Sequence, residues 1–347
     1  MTDLSTFLGS ITGLRGLSGD EAPVAKVIAE AFAPLCEEVS IDAMQNVVGR
    51  IGSAGPRIMI TAHQDEIGMM ATNIEDDGAI RFTRVGGVDP RILPGSRVTV
   101  YTEEGPMTGV VGAVPPHLLS PDDRKKNYQM PKLHVDIGFP ADRVRELVHP
   151  GTPIALYGPL KALQNNRYAG KTIDDRGGIA TLLRIAELLQ KRELPAQVFL
   201  VAASQEEVGG IGAETSAYAL NPDIGIAIDV THGEMPGCEP DEVYPLHKVV
   251  LSEGPNIHPT LHKHLMALAG KIRVDAVSSI CPHVTWTDAA SLQIARAGVP
   301  TALIEIPLKY MHTTVETVSM DVIEESARLL AAFVTGLDAG WEELLCY

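Results

Sequence analysis

Four short and almost continuously apolar segments constrain the fold of this chain more than any other feature. Short runs of this kind are typical of central strands that are buried on both faces. Helical periodicity of apolar residues precedes them at 20–36, and it lies between and after them at 177–192 and 319–337. The four segments are RIMITAH (57–63), QVFLVAAS (197–204), DIGIAIDV (223–230) and PTALIEIP (300–307). This alternation predicts an α/β sheet that helices cover on both faces.

Residues 71–162 follow a different pattern. Glycine and proline separate short alternating segments there, such as SRVTVYTEEG and MTGVVGAVPP, and long helical patterns are scarce. A chain of 347 residues that is 45% hydrophobic is long enough to bury more than one core. We therefore predict that residues 1–70 and 163–347 form the α/β domain and that residues 71–162 form an inserted β-rich domain.

The composition disfavours several classes of protein. A formal net charge of −16 at pH 7 disfavours nucleic acid and anionic membrane as partners, because both carry negative charge. No apolar run approaches the length that spans a bilayer, and no basic segment precedes an apolar stretch at the start of the chain. The cysteines lie far apart without a C-x-x-C pair, and we expect reduced thiols at Cys36, Cys238, Cys281 and Cys346. These features predict a cytoplasmic enzyme or binding protein.

Histidines and acids stand where the predicted strands end. Open α/β sheets bind ligands at the carboxyl ends of their strands, so residues at these positions are candidates for a site. The candidates are His63 after the first segment, Glu206 and Glu207 after the second, Asp229 near the end of the third and His312 after the fourth. Asp174 and Asp175 stand directly before a predicted helix. Two histidines and several carboxylates at one sheet edge predict a metal site.

The residue types suit a particular chemistry. Neutral imidazole and carboxylate bind Zn²⁺, Co²⁺ or Mn²⁺, and one carboxylate can bridge two ions, an arrangement that is used for hydrolysis. Glu206 and Glu207 are adjacent and point in different directions, so one can bind metal while the other faces a water molecule. Asp65 follows His63 by two residues and is placed to accept the second ring N–H of that histidine, which would fix its orientation.

Each candidate on its own also has a structural interpretation. His63 alone would be a hydrogen-bonded histidine at a strand end, and Glu206 with Glu207 could be a charged helix start. Asp174 and Asp175 could cap the following helix. Because all of them fall at strand or helix ends that meet at one edge, we favour the metal site.

Five ordered motifs of this chain resemble one protein family. The motifs contain the candidate residues, and they are AHQDEIG, DDRGG, SQEEVGG, AIDV and KYMHT. In this order and at these spacings they are similar to the TET aminopeptidases, family forty-two of the metallopeptidases, which includes glutamyl and deblocking aminopeptidases. The resemblance covers nearly the whole chain, including the β-rich insertion. The five motifs together make the resemblance specific, because no single motif would identify the family.

The resemblance implies a role for each candidate. Glu206 would be the general base, and Asp65 and Asp175 would be supporting residues. Two divalent metal ions per subunit are implied, with Zn or Co expected and Mn as an alternative. The implied ligands are His63, Asp174 and Asp229 for one ion and Asp174, Glu207 and His312 for the other, with Asp174 as the bridge.

The resemblance also implies an architecture. The family fold is α/β, a three-layer peptidase domain with a central mixed sheet, and it carries an inserted β-rich, barrel-like dimerisation domain. Members of the family commonly assemble into tetrahedral dodecamers, so a homo-oligomer is expected. One segment departs from the family, which often has GGTDA where this chain has TWTDAAS at 285–291. Thr287 and Asp288 are kept while Thr285 and Trp286 replace glycines, and this difference bears on the shape of the substrate pocket.

The expected function is an aminopeptidase that removes N-terminal residues from peptides by attack of metal-activated water, with Glu206 moving the proton. Two alternatives stay open from the sequence. A pair of carboxylates could serve a glycosidase, although glycosidases do not need two histidines with a bridging acid. A metal-binding assembly protein without activity is the other alternative, and the presence of Glu206 argues against it.

Overall fold

The computed structural model describes residues 1–346, so Tyr347, the last residue of the predicted peptidase range, lies outside the described residues. The helices, in chain order, are α1 Leu4–Thr12, α2 Ala22–Phe32, α3 Ala141–Leu147, α4 Ile173–Leu189, α5 Ile211–Leu220, α6 Pro259–Ile272, α7 Asp288–Gln293 and α8 Met320–Thr335. None of the helices in residues 1–346 is long and apolar enough to cross a bilayer.

Seventeen strands occur in the described residues. The first nine are β1 Glu38–Ile41, β2 Val47–Ile51, β3 Arg57–His63, β4 Gly68–Ile74, β5 Ile80–Val85, β6 Arg97–Thr102, β7 Gly105–Gly112, β8 His134–Asp136 and β9 Pro153–Leu156. The others are β10 Lys161–Ala162, β11 Arg167–Gly170, β12 Gln197–Ala203, β13 Ile224–His232, β14 Val249–Glu253, β15 Ala276–Ile280, β16 Thr301–Leu308 and β17 Glu316–Ser319.

A central sheet of eight strands has the order β1-β2-β12-β3-β13-β16-β14-β15. The four apolar segments form its middle, because β12, β3, β13 and β16 are neighbours and run parallel to one another. The pairs β1–β2, β2–β12 and β14–β16 are antiparallel, so the sheet is mixed. All four predicted strands are confirmed, and their carboxyl ends meet at one edge of the sheet.

Helices cover both faces of this sheet. One face packs against α1, α2, α4, α6 and α8 in the largest apolar cluster of the protein. The other face packs against α5 and α7, where Met59, Phe199 and Leu292 meet. Burial of an aliphatic or aromatic side chain of this size contributes about 1.5–3 kcal/mol, so both layers add to the stability of the sheet. The predicted three-layer α/β arrangement is confirmed.

The β-rich segment forms a closed barrel of six strands in the order β4-β5-β8-β7-β6-β9. All six pairings are antiparallel. The barrel has its own apolar core, which includes Met69, Phe82, Val100, Val135 and Ile154. Residues of barrel strands face the interior and the exterior in turn, which accounts for the short alternating segments of the sequence.

A small three-stranded sheet, β10-β11-β17, connects the barrel to the helical layer. Its strands β11 and β17 are antiparallel, and Gly170 is paired with Glu316. The chain passes from Gly170 directly into the segment that contains Asp174. This pairing therefore brings Glu316 next to the start of α4.

Candidate active site

The candidate residues of the strand ends lie together at one edge of the central sheet. His63 is the last residue of β3, and Asp229 lies near the end of the neighbouring parallel strand β13. Glu206 and Glu207 follow β12, and His312 follows β16. Because these four strands run parallel, their ends converge although the residues are up to about 250 positions apart in the sequence.

Asp174 lies between the two histidines. Its Oδ1 is 3.1 Å from Nε2 of His63, and its Oδ2 is 3.2 Å from Nε2 of His312. The residue is buried, and its backbone is not helical although it stands at the start of α4. One carboxylate therefore faces two different imidazoles with its two oxygens, as a bridging ligand would.

Two groups of metal-ligand atoms share Asp174. The first contains His63, Asp174 and Asp229, and the second contains Asp174, Glu207 and His312. Within each group the ligand atoms lie within 4.8 Å of one another. The Oε1 of Glu207 is also 3.3 Å from Nε2 of His312. The structure therefore brings together all five residues that the sequence proposes as ligands.

Glu206 lies beside these groups and lines the adjoining cavity. Its Oε2 is 4.0 Å from Nε2 of His63, and its side chain is 12% exposed. Glu206 belongs to neither group of ligand atoms, whereas the adjacent Glu207 belongs to the second. The two glutamates therefore point to different parts of the site, as expected for one base and one ligand.

Asp65 is buried under the two glutamates. Its Oδ1 accepts the backbone N–H of Glu206 at 3.0 Å, and its Oδ2 accepts the backbone N–H of Glu207 at 3.2 Å and the hydroxyl of Ser18 at 2.6 Å. Nδ1 of His63 is 3.5 Å from Oδ1 of Asp65, which is longer than a regular hydrogen bond. Asp65 thus holds the Glu206–Glu207 turn in addition to facing the histidine, a contact that the sequence does not reveal.

The predicted supporting residue Asp175 is also buried, next to the candidate ligands. Its Oδ1 accepts the backbone N–H of Gly178 at 3.0 Å. Burial raises the pKa of Asp175 well above its ordinary value, and repulsion from Asp229 adds to the rise. Asp175 therefore stabilises the first turn of α4, and its surroundings favour the neutral carboxyl.

The acids of the site are desolvated and repel one another. Burial raises the pKa of Glu206 to about 10, and repulsion from Asp229 and Asp288 adds to the rise. Burial also raises the pKa of Asp229 well above its ordinary value. For His312 burial disfavours the charged form, but contacts with Asp174 and Glu207 raise its pKa to about 11.

This donor set fits divalent metal ions. The four acids Asp174, Glu206, Glu207 and Asp229 form no ion pair with any Lys or Arg in residues 1–346, and only the two imidazoles offset their charge. Buried carboxylates without a countercharge are costly, and a cation at the shared Asp174 would remove that cost. Imidazole nitrogen with carboxylate oxygen is the ligand combination that suits Zn²⁺, Co²⁺ and Mn²⁺.

Two contacts of His312 involve residues that the sequence analysis missed. Nδ1 of His312 lies 3.2 Å from the carbonyl oxygen of Gly87, which follows strand β5 of the barrel. Glu316 is buried and accepts the backbone N–H of His312 at 2.9 Å. An acid four residues after a candidate ligand was the available signal for Glu316, whereas no sequence signal indicates Gly87.

A cavity of about 490 Å³ opens beside the candidate ligands. The segment that departs from the family forms part of its wall, with Thr285, Trp286 and Thr287 among the lining residues. Trp286 is 85% exposed and has a positive φ of 53°, a conformation that glycine adopts more readily. The indole therefore extends the rim of the cavity where a glycine would leave it open.

A three-layer α/β fold with two imidazoles and several acids at one sheet edge, beside an open cavity, is the arrangement of a metal-dependent peptidase. The chain belongs to the M42 glutamyl aminopeptidase family, whose profile matches residues 45–329. The resemblance seen in the motifs is thus confirmed.

Relatives and solved structures agree with this family. The chain is 33% identical over 329 residues to a lysyl aminopeptidase of Pyrococcus furiosus, covering 93% of this chain and 94% of the relative. The aminopeptidase APDkam598 of Desulfurococcus kamchatkensis has the same fold with a TM-score of 0.91 and 32% identity, over 99% of this chain and 98% of that one. The protein is an aminopeptidase, a hydrolase of peptide bonds. These similarities favour peptide hydrolysis over the glycosidase alternative.

A further similar structure is that of a peptidase that forms large assemblies. The TET1 peptidase of Pyrococcus horikoshii can assemble into a tetrahedron or a large octahedral shell. It matches with a TM-score of 0.86 and 29% identity, over 96% of this chain and 100% of that one. The match includes the barrel, because almost the whole of both chains is covered.

Proposed function

We propose that the protein removes N-terminal residues from peptides with two divalent metal ions per subunit, Zn or Co with Mn as an alternative. His63, Asp174 and Asp229 would hold one ion, and Asp174, Glu207 and His312 the other. The observation that carries this proposal is that the two oxygens of Asp174 face two different imidazoles. A bridging carboxylate of this kind belongs to dinuclear hydrolytic centres.

Bound divalent ions lower the pKa of water and polarise a carbonyl oxygen, which supplies the hydrolytic chemistry. Glu206 is the residue of this chain that moves the proton. Its carboxylate would take a proton from the attacking water and pass it to the amine that leaves. A bond forms between the water oxygen and the carbonyl carbon and the C–N bond breaks, which releases the N-terminal amino acid with a free carboxylate and the shortened peptide with a new free amine. Asp65 orients Glu206 for this step through the backbone N–H of the glutamate.

Glu206 also separates this proposal from a metal-binding protein without activity. It lines the cavity, belongs to neither ligand group and forms no ion pair with a Lys or Arg of residues 1–346. A buried acid that lines the cavity beside the proposed ligands without being one of them is placed to act on a bound water molecule. We therefore assign it to catalysis.

The test is a panel of aminoacyl p-nitroanilides, assayed on the purified enzyme before chelation, after chelation and after return of Zn²⁺, Co²⁺ or Mn²⁺. Chelation should abolish hydrolysis and a divalent transition metal should restore it. Unchanged turnover in a sample verified to be metal-free would refute the metal-dependent reaction. Hydrolysis of a glucan, but of no aminoacyl substrate, would support the glycosidase alternative instead.

We also propose that residues 71–162, which contain most of the barrel, mediate contacts between subunits. The related TET1 peptidase can assemble into a tetrahedron or a large octahedral shell, and the match covers 100% of that chain. The expected state is a homo-oligomer, with a tetrahedral dodecamer as the specific prediction, and the cytoplasmic location stays a prediction as well. Light scattering that reports a monomer across micromolar concentrations would contradict the assembly.

A further inference from the structure

The cavity beside the candidate ligands contains three acids that the proposed reaction does not use. Besides Glu206 and the ligands, the lining residues include Glu305, Asp241 and Glu242. All lining residues lie within residues 1–346, and none of them is Lys or Arg. The wall of the cavity is therefore strongly acidic beyond what metal binding requires.

Glu305 lies on the inner wall, next to a proposed ligand. It is part of β16 and is paired in register with Asp229 of the parallel strand β13. Paired residues of neighbouring strands point to the same face of a sheet, and the strands are about 4.8 Å apart. The carboxylate of Glu305 therefore reaches the same cavity as Asp229, one strand further from His63.

The carboxylate of Glu305 has only neutral partners. The hydroxyls of Ser252 and Thr231 donate to it, and no Lys, Arg or His of the described chain forms an ion pair with it. Burial raises the pKa of Glu305 to about 7, which reflects a desolvated carboxylate without a countercharge. A cationic group of a ligand would supply that countercharge and favour the ionised form.

We propose that Glu305 selects peptides whose N-terminal residue carries a positively charged side chain, lysine or arginine. This selection rests on the proposed function, because an aminopeptidase holds the first residue of its substrate beside the scissile bond. The side chain of that residue then lies in the cavity that adjoins Glu206, where Glu305 forms the inner wall.

The rim of the cavity also favours a positively charged side chain. Asp241 and Glu242 lie at its edge and are exposed, so they add negative potential without forming a fixed contact. Tyr244 and Ile280 supply apolar surface that the carbon chain of a lysine can cover while its ammonium reaches Glu305. The carboxylate of an N-terminal glutamate would be repelled by Glu305, Asp241 and Glu242, so the expected order of preference is Lys and Arg, then Leu, then Glu.

The first experiment compares kcat/KM of the metal-loaded enzyme for Lys-, Arg-, Leu- and Glu-p-nitroanilide. The variant Glu305→Gln keeps the shape of the side chain and removes its charge. We expect the ratio of kcat/KM for Lys over Leu to fall about 10- to 100-fold in this variant, the effect of one lost charge-assisted contact. The control Glu214→Gln removes an equal charge at an exposed position of helix α5 that does not line the cavity, and should leave that ratio unchanged.

The second experiment needs no variant. Free L-lysine should inhibit hydrolysis of Leu-p-nitroanilide with an inhibition constant at least about tenfold lower than that of L-norleucine. Norleucine has the same side-chain carbons but no side-chain ammonium. Equal inhibition by the two amino acids, or a Lys-to-Leu ratio that Glu305→Gln leaves unchanged, overturns the selection while the aminopeptidase function stands. Failure of the wild-type enzyme with metal to hydrolyse any of the four substrates overturns the proposed function, and the selection with it.

Discussion

The backbone N–H of His312 donates a hydrogen bond of 2.9 Å to Oε1 of Glu316. The other oxygen of this glutamate, Oε2, accepts the backbone N–H groups of Ile173 at 2.7 Å and Asp174 at 3.1 Å. A single buried carboxylate therefore fixes the main chain of two proposed ligands that are far apart in the sequence. Burial raises the pKa of Glu316 to about 8, and repulsion from Asp174 adds to the rise.

This contact predicts that Glu316→Gln weakens metal binding. Glutamine has only one acceptor oxygen. Its NH₂ group would face backbone N–H groups, and because both are donors no hydrogen bond could form. We expect metal affinity at the site of Asp174 and His312 to fall about 10- to 100-fold, as is typical when a residue behind a ligand is lost. Titration against a chromogenic chelator measures the change, with Glu214→Gln as the control. Wild-type affinity in Glu316→Gln would show that the carboxylate has no positioning role.

The two adjacent glutamates should respond differently to the same substitution. Glu206→Gln cannot take a proton, so turnover should fall by at least about 10²- to 10⁴-fold while both metal ions remain bound. Glu207→Gln replaces an anionic ligand by a neutral one, so metal content should fall, with partial rescue by excess metal. Metal stoichiometry is measured beside turnover for both variants. Loss of metal from Glu206→Gln together with full metal content in Glu207→Gln would reverse the assignment.

Gly87 leaves no room for a side chain next to His312. A Cβ at this position would lie 2.5 Å from Nδ1 and 2.6 Å from Cε1 of the imidazole. We therefore expect Gly87→Ala to displace His312 and to lower kcat and the affinity for one metal ion. The control is Gly270→Ala on helix α6, where a Cβ meets nothing within 4 Å. Equal activity and metal content of the two variants would contradict the prediction.

Glu21 should make stability depend on pH. It is buried and accepts the backbone N–H groups of Gly19 at 2.8 Å and Gln205 at 3.1 Å. Burial raises its pKa from 4.5 to about 7 in the folded protein. A raised carboxyl pKa means that the folded state binds the proton more tightly, so stability is lost as pH rises from about 4.5 through 7.

Glu21→Gln removes that ionisation. The free energy of unfolding of the variant should fall less than that of the wild type over this pH range. The two falls should differ by on the order of 1 kcal/mol at pH 8. Thermal unfolding of both proteins between pH 5 and pH 8 measures it. A difference in unfolding temperature that stays constant over this range would show that Glu21 does not titrate there.

The sequence predicts the central sheet well because its signal is local. A strand buried on both faces must be apolar along its whole length, and residues 57–63 and 197–204 show this directly. Four of the candidate residues, His63, Glu207, Asp229 and His312, follow from the same signal, since parallel strand ends meet at one edge. Asp174 stands before a helix, and the assignment of ligands comes from the resemblance of the motifs. Glu316 and Gly87 could not be predicted in this way. Their positions depend on the pairing of β11 with β17 and on the placement of the barrel, which join parts of the chain about 145 to 225 residues apart.

The carbonyl of Gly87 belongs to the barrel, whereas the imidazole that it faces belongs to the peptidase domain. A loop of the barrel is therefore in direct contact with a proposed metal ligand. If neighbouring subunits hold the barrel, assembly and metal binding become thermodynamically linked, and linkage is reciprocal. Any factor by which assembly changes the metal affinity of a subunit is then the factor by which metal changes the stability of the particle.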